Sequence, residues 1–399
     1  MREVVVFRGR SASPDRLAQV FKLIAANGGT FDVAEMQTAA PGREPEFARL
    51  EVGAADAESL DRLLAELAPL GGEADVRDAV FAAAEADGVL PDDFYATSNY
   101  DTFVRVGGSW VAATEQKMDC ALVLRAGVPV CVKQRKVKRG EPVLLQGGGV
   151  RVRTPERARG GAAFGFMSND VSAEINKGVA VRGIAAEIRK AKAAGEKIVV
   201  VAGPAIIHSG GDAALAGLVR DGWIDVLLAG NAFAVHDLEK AVCGTSLGVC
   251  QKSGRPVAGG SRNHLFTINA VNRAGGVRGA VSAGLVKHGV MFELVRKNAP
   301  FVLAGSIRDD GPLKDVVTDA LAAQEAYLAA LAGCGVCLML ATALHSIAVG
   351  NLLPARVRTV CVDMGEATPT KLANRGTTQA VGLVTDVGYF LERLAAALA

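Results

Sequence analysis

The sequence predicts an α/β protein built around a parallel sheet, and three observations carry that prediction. From Val179 onward, short runs rich in Val, Ile and Leu alternate with helical stretches. That is the pattern of parallel strands buried on both faces by crossover helices. The chain holds 46 glycines while aromatics make up only 5%, a balance that suits many tight strand-to-helix turns. Its 399 residues exceed one ordinary core and predict two domains, with room for a small third.

Composition narrows the class. Apolar residues make up 50% and charged residues 22%, the balance of a globular protein. Lys plus Arg is 44, Asp plus Glu is 42, and the net charge is +2, which leaves no electrostatic footprint for nucleic acid or an anionic membrane. Met1-Arg2-Glu3-Val4 does not open a signal peptide. The most apolar run, residues 336–353, carries His345 and Asn351 and reads as a buried strand and helix, not a membrane span. The seven cysteines are odd in number and scattered, which predicts reduced thiols in a cytoplasm. Cys334-Gly-Val-Cys337 reads better as core than as a redox pair. With no second C-x-x-C a zinc ribbon is not expected, and no metal site is predicted.

Taken in order, residues 4–7 read as a strand. Residues 14–26 read as a helix, with Leu17, Val20, Phe21 and Ile24 at helical period, Ser13 placed to cap and Pro14 in the first turn. Asn27-Gly28-Gly29 stops it. Strands follow at 31–36 and 47–52 with Pro41-Gly42 as the turn between them, then a helix at 60–70 ended by Gly71-Gly72. The order β-α-β-β-α-β over residues 1–78 is that of a ferredoxin-like module. Residues 79–178 are β-rich. Thr102-Phe-Val-Arg-Val, Gly107-Gly108 and Ser109-Trp-Val signal a hairpin, and 120–124 and 128–132 are further strands. The basic stretch from Lys133 to Arg139 raises phosphate or nucleic acid, but its alternation with apolar residues favours a solvated strand face. Residues 179–399 carry strands at 198–202, 224–229, 301–303, 336–340, 357–362 and 380–383, with helices at 211–220, 236–241, 313–331, 344–352 and 386–398.

The residues just past each strand locate the chemistry. The sequences are Gly203-Pro204 leading to His208 and Gly211, Gly230-Asn231-Ala232, Ala304-Gly-Ser-Ile-Arg-Asp309, Ala341-Thr342-Ala343-Leu344-His345-Ser346, Asp363 and Thr385-Asp386. All fall on one edge of a parallel sheet, where ligands bind. Gly-rich turns admit a pyrophosphate and helix N-termini favour its charge. Asp363 is the best-placed acceptor for ribose hydroxyls. There is no G-x-G-x-x-G, and singly each feature also fits ordinary turn chemistry, with Asp386 and Asp237 as plain helix caps. His208, His345 and His264 are three of only five histidines. Arg262 suits a substrate carboxylate held bidentately, or else a solvent-facing helix start.

At these residues the chain resembles the archaeal-type ornithine cyclodeaminases, related to the lysine-oxoglutarate reductase/saccharopine dehydrogenase bifunctional enzymes and to the C-terminal part of cyanobacterial arginine-degrading bifunctional enzymes. The stretches that carry it are Val201-Ala-Gly-Pro-Ala205, Leu228-Ala-Gly-Asn-Ala232, Ala234-Val-His-Asp237, Gly244-Thr-Ser-Leu-Gly248, Leu303-Ala-Gly-Ser-Ile-Arg-Asp-Asp-Gly-Pro312 and Gly382-Leu-Val-Thr-Asp386, with Gln116-Lys117-Met118-Asp119 in the N-terminal half. The resemblance implies a Rossmann-like domain akin to deoxyhypusine synthase, bound NAD, and conversion of L-ornithine to L-proline and ammonia. It implies nucleotide contacts at Asn231, Ala232, Asp309, Thr342, Ala343, Leu344, His345, Ser346, Asp363 and Asp386. Ile175-Asn176 and the Glu366-Ala367 region depart from the family pattern, which leaves the amino-acid substrate open. Within the implied mechanism Arg262 takes the carboxylate, Asp309 or His264 transfers a proton, and Lys117 with Asp119 completes the pocket. A homo-oligomer acting on a small amino acid, without nucleic acid or membrane, is expected. Two alternatives stand beside it: a net-redox NAD dehydrogenase of saccharopine dehydrogenase type, and a non-catalytic NAD-binding regulator.

Overall fold

The computed structural model describes residues 1–37, 47–74, 77–153, 177–250, 253–258, 260–309, 311–377 and 379–399. The chain divides into two compact units, Met1–Glu156 and Arg157–Ala399.

The first unit opens with β1 (Arg2–Arg8), α1 (Pro14–Ala26), β2 (Thr30–Gln37), β3 (Phe47–Gly53), α2 (Ala57–Leu67) and β4 (Glu73–Ala74). The sheet order β2-β3-β1-β4 is antiparallel throughout, as the ferredoxin-like reading requires. Alternation decides which face is buried. Val5 and Phe7 on β1 and Ala48, Leu50 and Val52 on β3 meet Leu17, Val20 and Ile24 of α1 and Leu60, Leu63 and Leu67 of α2 in one core. The helix expected at 60–70 starts three residues earlier, because Asp56 accepts from the Ser59 N–H at 2.7 Å and caps it. Its last turn tightens to a 3-10 turn over Ala68–Leu70.

Two antiparallel sheets follow. One contains β5 (Phe81–Ala83), β8 (Ala121–Arg125), β9 (Val128–Val132) and β10 (Pro142–Leu144). The other contains β6 (Asp101–Val106), β7 (Ser109–Ala112) and β11 (Val150–Arg153). The expected Gly107-Gly108 hairpin joins β6 to β7, with φ of +57° and +80° at the two glycines. Arg151 on β11 ties this sheet to the ferredoxin-like layer. Its side chain is 0% exposed and bonds Glu3 on β1 at 3.1 Å and Asp61 on α2 at 2.7 Å. The guanidinium lies 4.0 Å from the Trp110 ring, and Trp110 in turn donates to Asp61. The stretch Lys133–Arg139 is solvated but is not a strand: Gln134–Lys136 forms a 3-10 turn and only Val137 is buried.

The second unit is one seven-stranded parallel sheet formed by β12 (Lys197–Ala202), β13 (Val226–Gly230), β16 (Phe301–Ala304), β17 (Val316–Val317), β18 (Cys334–Leu340), β19 (Arg358–Asp363) and β20 (Ala380–Val384). A small hairpin of β14 (Thr245–Ser246) and β15 (Val249–Cys250) lies outside it. The order is β17-β16-β13-β12-β18-β19-β20. Strand residues alternate between two cores: Val200, Ala202, Leu227 and Leu338 join one, and Val199, Val201, Leu228 and Cys337 the other. Both faces are therefore apolar, which explains the continuous apolar runs. The first core is covered by α3 (Lys177–Ala193), α4 (Ala205–His208), α5 (Asp212–Arg220), α6 (Asn231–Cys243), α7 (Asn263–Arg273), α8 (Val277–Ser282), α9 (Val290–Arg296) and α13 (Val387–Leu398). The second is covered by α10 (Ala320–Ala330), α11 (Ala343–Gly350) and α12 (Ala367–Asn374).

Two boundaries differ from expectation. The segment read as one helix at 313–331 splits: Val316 and Val317 extend the sheet edge, and Asp319 starts α10 by capping Ala322. The helix read at 236–241 begins at Asn231, directly after β13. Cys334 and Cys337 lie in β18, and all seven thiols are free. Burial pushes Cys334 up to about 12 and Cys337 well above its ordinary value, as core thiols should be. Among the described residues no helix is long and apolar enough to cross a membrane.

Asp237 locks two helices of this unit together. Its carboxylate, 1% exposed, accepts the Val290 and Met291 N–H groups at 2.9 and 2.8 Å and so caps α9 from α6. Burial pushes this carboxyl up to about 7 from an ordinary 3.8. The folded protein then holds a proton that the unfolded chain releases between those values, so this group's contribution to stability falls as pH rises from about 4 to about 7. We expect Asp237→Ala to lower stability by about 1–3 kcal/mol for each abandoned donor. We also expect urea unfolding of wild type to lose stability relative to Asp237→Asn across that pH window; parallel pH curves for the two proteins would contradict this.

Candidate functional site

The sheet reverses direction at β12. The chain runs outward through β13, β16 and β17, then returns to lay β18 on the other side of β12. In open α/β sheets a ligand crevice forms outside the carboxyl ends of the strands at such a point. Here the two loops that leave it touch. The Gly203 N–H donates to the Leu340 carbonyl at 2.8 Å, and a Cβ at 203 would stand 1.8 Å from the Ala341 oxygen. Ala341 itself takes φ +52°. Only glycine fits at 203.

On the β13 side, Gly230 begins α6 with no side-chain cap. A Cβ there would meet the His345 ring at 2.8 Å, so the imidazole lies directly over the Gly230 backbone. His345 stands in the first turn of α11 and shares a 3.0 Å hydrogen bond between Nδ1 and the Thr342 hydroxyl. Thr342 occupies the cap position of α11 yet makes no cap bond. The hydroxyl of Tyr327 donates to the Ala229 carbonyl at 2.7 Å, with its ring 6.4 Å from that of His345. Burial lowers the pKa of His345, and the Asp309 carboxylate partly offsets it, which places the loop after β16 in electrostatic reach of the loop after β18. Ser346 Oγ is fully buried with no hydrogen-bond partner among the described residues.

The polar residues singled out in sequence occupy this edge with distinct attachments. Asn231 is buried, and its Oδ1 accepts from the Leu313 N–H at 3.1 Å. Ala232, Ala343 and Leu344 are exposed. Asp309 accepts from the Ser306 N–H at 2.8 Å. Asp363 ends β19 and accepts from the Gly365 N–H at 3.0 Å and the Thr368 hydroxyl at 3.2 Å. Asp386 caps α13 through the Tyr389 N–H at 2.8 Å, the plain-cap alternative. Asn231 and Asp363 follow strands three steps apart in the sheet order, about 14 Å at the usual strand spacing.

Beside the edge lies a buried polar chain that sequence reasoning missed. Glu239 on α6, 0% exposed, accepts from Thr245 Oγ at 2.8 Å and from the Leu247 and Gly248 N–H groups at 3.1 and 3.0 Å, and pairs with His236 Nδ1 at 3.2 Å. Burial pushes its carboxyl up, but the bonds from His236, Gly248, Thr245 and Leu247 outweigh that and hold it below the ordinary range. The turn thus held carries two further links. Ser246 Oγ meets His208 Nδ1 at 2.9 Å, and Asn263 donates to Thr245 Oγ at 2.9 Å. Asn263 separates Arg262, exposed, from His264, half-buried, at the start of α7. The available signal was His236 and Glu239 three apart on one helix face, just before Gly244-Thr-Ser-Leu-Gly248.

In the first unit Lys117 is 3% exposed, and its ammonium donates to the Glu115 and Cys131 carbonyls at 2.8 Å each. Asp119, two residues on, is exposed with φ +57°. Residues 166–174 and the divergent Ile175-Asn176 lie outside the described residues.

Family models match in three consecutive blocks: "LOR/SDH bifunctional enzyme conserved region" over residues 3–100, "Arginine dihydrolase ArgZ-like, C-terminal, first region" over 101–181, and the corresponding "Rossmann fold" region over 182–394. The ornithine cyclodeaminase of Archaeoglobus fulgidus is 46% identical over 98% of this chain and 96% of its own length. The crystal structure of a conserved LOR/SDH protein from Methanococcus maripaludis is similar at TM-score 0.77 and 45% identity, over 81% of this chain and 98% of that one. AgrE, the bifunctional arginine dihydrolase/ornithine cyclodeaminase of Nostoc, is 41% identical over 98% of this chain, which spans 57% of AgrE. The crystal structure of AgrE in ternary complex with ornithine and NAD+ matches all of this chain at TM-score 0.55 and 39% identity, over 57% of its own length. With identity above 40% to relatives matched along almost their whole length, this chain belongs to the archaeal-type ornithine cyclodeaminase family.

Proposed function

We propose that the chain is an enzyme converting L-ornithine to L-proline and ammonia with NAD held at the switch point of the second unit. The observation that carries this is the near-full-length match to ornithine cyclodeaminases, joined to a crevice whose residues fit a dinucleotide. The fit rests on three features of the crevice. Helix α6 starts at a glycine without a cap, the Thr342 hydroxyl turns to His345 and leaves the start of α11 uncapped, and Ser346 Oγ stands buried and unpaired. Uncapped helix N-termini favour a pyrophosphate. When bound, NAD supplies reversible acceptance of a hydride from the substrate α-carbon.

The protein's own residues bind and orient. Asn231, Ala232 and residues 342–346 line the phosphate side. Asp363 offers its remaining lone pairs to ribose hydroxyls, with Asp386 after the neighbouring strand β20 and Asp309 after β16 on the other side of β12. Arg262 takes the substrate carboxylate, since its exposed guanidinium suits a planar bidentate partner. His264, or Asp309, removes the proton that the α-ammonium must lose before the α-carbon can become an imine. Lys117 orders the loop that carries Asp119. The free thiols support a reducing, cytoplasmic setting.

Asp363→Ala should weaken NAD binding by about 1–3 kcal/mol, roughly 5- to 150-fold, in titration calorimetry. Unchanged affinity would confine Asp363 to holding the Gly365 turn. Ornithine deuterated at the α-carbon, given to enzyme with substoichiometric NAD, should yield proline that keeps the deuterium, without NADH accumulating. NADH rising in step with product would instead mark a net dehydrogenase, and NAD binding with no turnover a regulatory protein.

A further inference from the structure

Exchange of one amine for another is a separate proton problem that neither Arg262, His264 nor Asp309 addresses. For ornithine to cyclise, the side-chain ammonium must lose a proton before it can attack, and the α-amino nitrogen must gain one before it can leave. Both steps occur at the imine oxidation level and change no electrons. One base that gives back the proton it takes would serve both.

The polar chain beside the sheet edge presents such a group. His208 closes α4, directly after β12, and is exposed. Its Nδ1 is held by Ser246 Oγ at 2.9 Å, while Nε2 has no partner among the described residues. His236 stacks at a tilt with ring centroids 5.0 Å away, and Glu239 backs His236 at 3.2 Å. The same Glu239 holds Thr245, which Asn263 binds. His208 and His264 therefore hang on one buried carboxylate by two short links, through Ser246 on one side and Asn263 on the other. A structural histidine would more simply be buried with both nitrogens bonded; here the free nitrogen faces outward from a ring whose orientation is fixed.

We propose that His208 is the proton-transfer residue of amine exchange, with Glu239, His236 and Ser246 as its positioning residues; this rests on the ornithine reading above. His208 takes a proton from the side-chain ammonium, and the freed amine forms its C–N bond to the α-carbon of the imine. The imidazolium then returns that proton to the α-amino nitrogen as the old C–N bond breaks and ammonia leaves with the bonding pair. Burial and the neighbouring His236 lower the pKa of His208, against a smaller opposing pull from Glu239, so the ring is neutral and ready to accept a proton near pH 7.

The test compares wild type with His208→Gln, both loaded with NAD. Proline formation should fall about 100-fold, with NAD affinity kept within about twofold. Mixing with ornithine should build up reduced-nicotinamide absorbance in the variant, because oxidation proceeds while exchange stalls. Proline formation within about threefold of wild type overturns the assignment. So does loss of NAD binding, or loss of proline formation with no build-up of absorbance. A second measurement needs no turnover: in histidine NMR titrations His208 should titrate below 6.5, and Glu239→Gln should move it further down. A His208 titration that ignores that substitution overturns the positioning role. A wild type that makes no proline overturns the ornithine reading itself, and the coupling of His208 to Glu239 is then decided by the titration.

Discussion

Everything at the site depends on how closely the backbone after β12 approaches the backbone after β18. Parallel neighbours that come from opposite winding directions send their loops apart, and a crevice opens only if the first residues beyond the strands stay in register. Gly203 and Ala341 achieve this by near-contact: one has no Cβ to interpose, and the other is turned to φ +52°. That pair sets where α4 and α11 start. It therefore sets where His208 and His345 stand. Any side chain at 203 would push the two halves of the edge apart, and the loops after β12 and β18 would no longer meet. The constraint is a backbone one, so no compensating side-chain change elsewhere can restore it.

Three buried polar side chains then fix what the backbone leaves free. Arg151 joins two sheets of the first unit, Asp237 joins α6 to α9, and Glu239 joins α6 to the turn after it. Each is almost fully desolvated, and such groups add little net stability over an apolar substitute. What they add is uniqueness, because each has bonds that only one arrangement satisfies. Glu239 shows this most clearly. A carboxylate receiving four donors from one helix and one turn cannot tolerate a shift of that turn by even one residue. Asp237 and Glu239 lie two apart on the same helix, so one caps a distant helix while the other organises the local turn.

The fold was largely legible because its signal is periodic. Buried parallel strands read as apolar runs, and the alternation β-α-β-β-α-β of the first module was visible from Leu17, Val20 and Ile24 and from the glycine stops. Legibility failed where tertiary pairing overrode local pattern. Val316 and Val317 look like the start of a helix until an edge strand is available to pair with, and Asp319 then takes the cap role. The basic run at 133–139 has strand-like alternation, yet Val137 alone is buried and the rest forms a turn. Helices α8 and α9 are short and set off by Gly275-Gly276, Gly284 and Gly289, too brief for an apolar period to emerge. For the site, the strand-end residues could be named because every strand in a parallel sheet ends on the same edge. Glu239 could not, because an acid on a helix is normally solvated and only the fold reveals that it faces inward.

The helix starts along this edge divide the labour between structure and ligand. Helices α10 and α13, toward the outside of the sheet, are capped by their own Asp319 and Asp386, and α9 is capped from a distance by Asp237. Side-chain oxygens there already accept the N–H groups of the helix ends, so an anion gains less from them. Helices α6 and α11 follow the two neighbours of β12 and carry no cap: a glycine occupies one cap position, and a threonine turned to His345 the other. Their free N–H groups and partial positive charge stand on both sides of the crevice. Between those two starts, beside β12, the edge favours an anion. Asp363, one strand further out, accepts from the Gly365 N–H and the Thr368 hydroxyl and keeps lone pairs open to a further donor. The order of charge along the edge, positive at the centre and acidic beyond it, matches a ligand that carries phosphates in its middle and sugars at its sides.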